Sequence, residues 1–246
     1  MPARKKSIKR KVRNWTAADS SELYGGENWS NDYFSVRNLK SSQIMGDYDL
    51  TLVKNNFVSL FADARTDTFD DGYFPTHGVN AGVSYSWTFA GLPTPVRGFQ
   101  TVQADAKAVL PVGDIFAFIP SFNLRFLIGD DIPVAYFNAV GGSLPGRYVD
   151  QQMPFLGVTN LHAMKNMLTL YRTDLRFKLA KNHYVTGTIN YARDCDALKD
   201  YAYGPGYFGA ALEYSFDTIF GPLSANVHWS DITGKVGFYL SAGYNF

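Results

Sequence analysis

The chain has almost no cysteine: Cys195 is the single one among 246 residues. An intrachain disulfide framework and a cysteine-rich metal site are therefore excluded. Charge is sparse, at 18% of residues. No stretch approaches ~18 consecutive apolar residues, which excludes a helical membrane protein. No convincing amphipathic helix follows Asn56. The first residues carry no apolar core behind their basic run, so they do not read as a secretory signal. Aromatics, by contrast, are abundant, at 16% of residues with 16 Tyr and 19 Phe. Apolar residues reach 46%, enough for folding. An aromatic, weakly charged chain without a long apolar run fits a soluble β-rich protein or a membrane β-barrel.

Charge is unevenly placed. Met1 to Arg13 holds seven basic residues and no acid, leaving 16 basic against 22 acidic residues, a net of −6, for the remainder. Such a run can meet nucleic acid or anionic lipid. The plainer expectation is a solvated, unstructured segment over 1–43, with no nucleic-acid partner, followed by a barrel domain over 44–246.

From about Asp47 the dominant period is two, the signature of strands with two unlike faces. Val236, Phe238, Leu240, Ala242, Tyr244 and Phe246 share one face near the C-terminus, against Lys235, Gly237, Tyr239, Ser241, Gly243 and Asn245. The same alternation predicts strands over Leu223–Ser230, Phe208–Asp217, Val185–Tyr191, Tyr171–Leu179, Phe118–Ile128, Thr101–Leu110 and Val79–Phe89. Two weaker ones are expected near Asp47–Val53 and Phe57–Arg65.

Soluble sandwiches alternate too, and three features favour a bilayer. Several strands run ten or more residues, the length a tilted strand needs to cross. Trp87, Phe89, Tyr214, Phe216, Trp229, Tyr244 and Phe246 gather towards strand ends, as interfacial girdles do. Arg172, Asp174, Arg176, Lys178, Asp105, Lys107, Arg125 and Glu213 stand in mid-strand on the polar face, which suits a wet lumen or an outer solvent face but not a sandwich core. Short and long connections alternate, and the long stretch at 131–166 exceeds a plain hairpin loop. The expected fold is all-β, an antiparallel transmembrane β-barrel with about ten visible strands.

Four local patterns, in order, carry a resemblance. Tyr73-Phe74-Pro75-Thr76-His77-Gly78 follows Asp67 and Asp70. Gly141-Gly142-Ser143 is followed by Gly146-Arg147-Tyr148. Phe220-Gly221-Pro222-Leu223 precedes the penultimate strand. The last segment ends on an aromatic, with Phe238, Leu240, Tyr244 and Phe246 on its apolar face. Together they resemble the bacterial surface antigen family, the superfamily of outer-membrane barrel assembly and two-partner secretion, over roughly Asp47 to Phe246.

The resemblance implies a strand start at Phe74, Pro75, Thr76 and Gly78, a turn at Gly221, Pro222 and Leu223, and a C-terminal insertion signal. It implies a long loop folded into the lumen with Arg147 at its tip. Val96-Arg97-Gly98-Phe99 matches the loop motif literally but comes two strands too early. Gly-Arg-Tyr in place of Arg-Gly-aromatic departs from the family pattern and leaves the contact of Arg147 open. Gly146–Gly157 looks like the barrel of patatin-like phospholipase fusions. The family's barrel has sixteen strands, so the chain reads as its C-terminal part, from a truncated or mis-started frame. Implied partners are outer-membrane lipid, the barrel-assembly machinery during insertion and client polypeptides, in the bacterial outer membrane.

A lumenal guanidinium needs a carboxylate, preferably bidentate. Asp174, Glu213, Asp105 and Asp194 are candidates, with Asp174 favoured. Catalytic signals are thin. Gly141-Gly142-Ser143-Leu144-Pro145 fails the last position of a nucleophile elbow. His77, His162, His183 and His228 lack metal-ligand spacing. His228, on a polar face with Ser224 and Ser230 nearby, is the weak case for a barrel phospholipase site, and loss of lipase activity on mutating Ser143 or His228 would reveal an enzyme. Cys195 lies beside Asp194 and Asp196 without an activating cation. The expectation is a non-catalytic barrel without cofactor or metal. The alternatives are the carrier of a patatin-like hydrolase and a passive porin.

Overall fold

A computed structural model describes residues 21–33, 54–92, 97–130, 132–133, 136–143 and 151–243. Ten strands form one antiparallel sheet. They are β1 (Ser21–Tyr33), β2 (Lys54–Asp67), β3 (Gly78–Leu92), β4 (Phe99–Val112), β5 (Phe116–Ile128), β9 (Met167–Ala180), β10 (His183–Cys195), β11 (Gly206–Thr218), β12 (Gly221–Ser230) and β13 (Val236–Ala242). Each pairs with its neighbour in chain order, and β5 pairs directly with β9. The intervening insert holds β6 (Asn138–Val140), β7 (Gln152–Met153) and β8 (His162–Met164), a small separate sheet in the order β7-β6-β8.

Most strands are 13 to 15 residues long, enough to cross a bilayer obliquely. Alternation sets the faces. Outward side chains are apolar and bare, including Val83 at 58%, Leu212 at 61% and Leu240 at 67% exposure. Arg172, Asp174 and Arg176 share the opposite face with Thr188, Asn190, Asn226 and His228. The register follows, because a slip of one residue would exchange the faces.

β1 lies inside the stretch expected to precede the barrel. It pairs with β2 from Ser21↔Thr66 to Tyr33↔Lys54, so the sheet begins before residue 44. The segment SELYGGENWSNDY has two adjacent glycines and few apolar residues, which is why periodicity missed it. Its place comes from backbone pairing. The expected strand near Asp47–Val53 lies outside the described residues.

The connections differ by side. One end of the sheet carries the connections at 113–115, 181–182 and 219–220, and the segment 68–77. The other end carries 93–98, the insert at 129–166, 196–205 and 231–235.

The apolar core sits between the insert and the sheet. Val140, Met153, Phe155, Val158 and Met164 of the insert pack on Leu168 and Leu170 of β9 and Ala192 of β10. Phe155, Leu168 and Leu170 are fully buried. Each such side chain stabilises the docked insert by about 1.5–3 kcal/mol.

Candidate functional site

The site is the inward face with the insert seated on it. Both roots of the insert are tied to β5. Arg125 Nη1 donates to Tyr136 O (2.9 Å) and to Asn138 Oδ1 (2.5 Å). Asn138, itself fully buried, donates through Nδ2 to Lys165 O (2.7 Å) and Asn166 O (2.9 Å). A buried guanidinium requires such acceptors, because an unpaired one would be costly.

The middle of the insert is held by its backbone. Asn190 of β10 is fully buried. Its Oδ1 accepts from Leu156 N (3.0 Å) and its Nδ2 donates to Leu156 O (3.1 Å). One residue on, Gly157 O accepts from Ser230 Oγ (2.9 Å) and from Thr233 Oγ1 (3.1 Å). Gly157 has φ 111°, and a Cβ there would lie 2.6 Å from Trp229 O. At Gly209 a Cβ would lie 2.4 Å from Leu156 O. Both glycines are required because backbone meets backbone at these points.

A chain of polar side chains runs from β11 to the insert. Glu213 accepts from Ser215 Oγ (2.9 Å) and from Asn226 Nδ2 (3.3 Å). With its Nδ2 so engaged, Asn226 presents Oδ1 to His228, whose Nδ1 donates to it (2.8 Å). His228 Nε2 is then the acceptor for Thr159 Oγ1 (3.3 Å). Gly237 of β13 lies beneath the imidazole, where a Cβ would stand 2.2 Å from Nε2. Ser143 and His228 border the same cavity of about 10 Å³, room for roughly one water. Burial pushes the His162 imidazole of the insert below its usual range, against an upward pull from Asp194.

All four carboxylates considered for Arg147 have partners of their own. Asp174 accepts from Arg172 Nε (2.8 Å) and from Thr188 Oγ1 (2.7 Å). Glu213 lies in the chain just described. Asp105 meets Arg65 (3.5 Å), which reaches it across Gly82. Asp194 accepts from Lys165 N (2.9 Å). Gly146, Arg147 and Tyr148 lie outside the described residues, as do Tyr244 and Phe246. Phe238 and Leu240 point outward from β13, at 59% and 67% exposure. Gly221, Pro222 and Leu223 form the first residues of β12, and the turn itself is residues 219–220. Gly78, with φ 113°, opens β3, and Phe74, Pro75 and Thr76 lie in the connection before it.

Arg125, expected as a mid-strand charge of the polar face, carries much of the docking together with Asn190 and Asn138, which the sequence pattern does not single out. One signal was available. Leu168 and Leu170 are apolar on a face that is otherwise polar, which requires a cover. Among the described residues, no cluster of His, Cys, Asp and Glu is placed to hold a metal ion.

A family model described as the OMP85 superfamily matches residues 22–246. No curated protein matches the chain.

Proposed function

Because the chain belongs to the OMP85 superfamily, we infer that it is an outer-membrane barrel domain acting in the assembly or translocation of other polypeptides, with the insert as its lumenal working part and no chemistry of its own. Superfamily membership supports the barrel, the bacterial outer membrane and the broad role in assembly or translocation. The finer reading rests on one observation: the insert is clamped to the inward face by Asn190 and Leu156. A passive porin would leave that face open to solvent. The small cavity beside Ser143, with room for roughly one water, supports the non-catalytic reading.

The test uses the full chain in lipid vesicles with an unfolded outer-membrane client. Client folding is expected to run faster than in empty vesicles. A correctly folded barrel, seen as heat-modifiable gel mobility, that gives no acceleration overturns the assembly role. Ester hydrolysis by the same preparation overturns the non-catalytic reading.

A further inference from the structure

The connection 68–77 is the longest of the four on its side of the sheet, and the functional reading above makes no use of it. It does not hang free. Its root is closed by Thr68, whose N donates to Val79 O (2.9 Å) and whose Oγ1 accepts from Val79 N (2.8 Å). Its interior is braced by two carboxylates. Asp71 Oδ1 accepts from the amides of Tyr73 and Phe74, both at 2.7 Å. Asp70 Oδ1 accepts from Thr76 N (2.7 Å) and His77 N (3.2 Å), and Asp70 Oδ2 accepts from Thr76 Oγ1 (2.5 Å). Local side-chain to backbone bonds of this kind fix a turn without help from a sheet.

The braced segment reaches inward. Phe69 packs on Val109 of β4 and on Ala117 and Ile119 of β5. Those three side chains lie on the inward face and are at most 8% exposed. Lys107 stands over the Phe69 ring at 6.0 Å. Phe74 stacks on Tyr184 of β10, with centroids 4.5 Å apart and 10° between planes. Pro75 is buried, and its carbonyl accepts from Arg176 of β9. Arg176 also lies over the Tyr184 ring, at 5.6 Å. From β3 to β10 is four strand spacings, about 19 Å on a flat sheet. A connection of 68–77 therefore lies across the inward ends of four consecutive strands.

We propose that this connection is a floor: a second occluding element that closes the short-connection mouth of the barrel and is independent of the long insert at the other end. Its face toward the strands is apolar and aromatic, and its bracing is polar and internal. It is latched by one guanidinium on a main-chain carbonyl, a contact that can be released without unfolding any strand. The proposal rests on the barrel and not on the assembly role.

The test is ion conductance of the full-length protein in planar bilayers. Phe74→Ala removes the stack on Tyr184. Asp70→Asn loosens the brace without touching the wall. Arg176→Met removes the latch. Each is expected to raise unit conductance severalfold while heat-modifiable mobility is retained. Undocking the insert by Gly157→Ala in the Phe74→Ala background is expected to raise it further, because the barriers are separate. Unchanged conductance in Phe74→Ala and Asp70→Asn barrels of normal mobility overturns the floor. Client folding, measured on the same proteins, reports on the assembly role alone.

Discussion

Replacing Asn190 by Ala tests the docking of the insert directly. The side chain makes two bonds to one residue, at 3.0 and 3.1 Å to the amide and carbonyl of Leu156. Both partners are buried, Asn190 at 0% and Leu156 at 4% exposure. Truncation leaves a donor and an acceptor of the main chain without partners. An unsatisfied buried group costs about 1–3 kcal/mol. Water entering the vacated space recovers part of this, so the expected loss is about 2–4 kcal/mol of docking free energy. At 1.4 kcal/mol per factor of ten, the open insert becomes roughly 30- to 700-fold more populated. Hydrogen exchange on the folded barrel reads this population at the Leu156 amide. The strands β9 to β11 should keep their protection, since their ladders are untouched. Ser230→Ala is the control: Thr233 Oγ1 still donates to Gly157 O, so its loss should stay near 1 kcal/mol. If exchange at residues 152–160 is the same in Asn190→Ala as in the parent, the clamp does not hold the insert.

Gly157→Ala should undock the same segment more completely, because its Cβ would stand 2.6 Å from a carbonyl oxygen of β12 at φ 111°; protease cleavage within 151–166 reads the release. Leu212→Arg on the outward face should reduce barrel insertion by about 2–4 kcal/mol if it sits at the bilayer midplane, measured as the folded fraction in vesicles. The acid response should include Asp70. Partial burial raises its pKa, but the bonds from Thr76 and His77 outweigh that and lower it to about 2. A carboxylate depressed in the folded state stabilises above its unfolded pKa, and that stability is lost as pH falls through the folded value. The contribution, about 1 kcal/mol or less once solvent screening is included, should therefore fade between about pH 4 and pH 2. Asp70→Asn should remove this component from the acid dependence of peptic cleavage at Tyr73, and an unchanged profile would count against the brace.

Nine of the ten strands of the large sheet lie where alternation predicts, from the weaker signal at Phe57–Arg65, which falls in β2, to the C-terminal segment. The reason is physical: one face meets an apolar medium and the other a polar one, so the pattern is nearly continuous. β1 was not legible, because its edge position is fixed by main-chain bonds that any sequence can make. The long insert was legible as an anomaly of length, but its seat on β10 and β12 was not. Asn190, Ser230 and Thr233 look like ordinary residues of a polar face until a carbonyl is placed opposite them. Val109, Ala117 and Ile119 break the polar pattern on the inward side, as Leu168 and Leu170 do. Such breaks mark where a wall is covered, although they do not name the cover.

The wall holds the insert by the main chain of Leu156 and Gly157, not by their side chains. Such a grip reads contour and ignores identity. At position 156, which is 4% exposed, the replacement must stay apolar and of similar size, whereas at 157 only the smallest residue fits. A foreign peptide grafted into the barrel interior here would have to keep one glycine in register with Ser230 and apolar side chains at 155 and 158, where Phe155 and Val158 are buried.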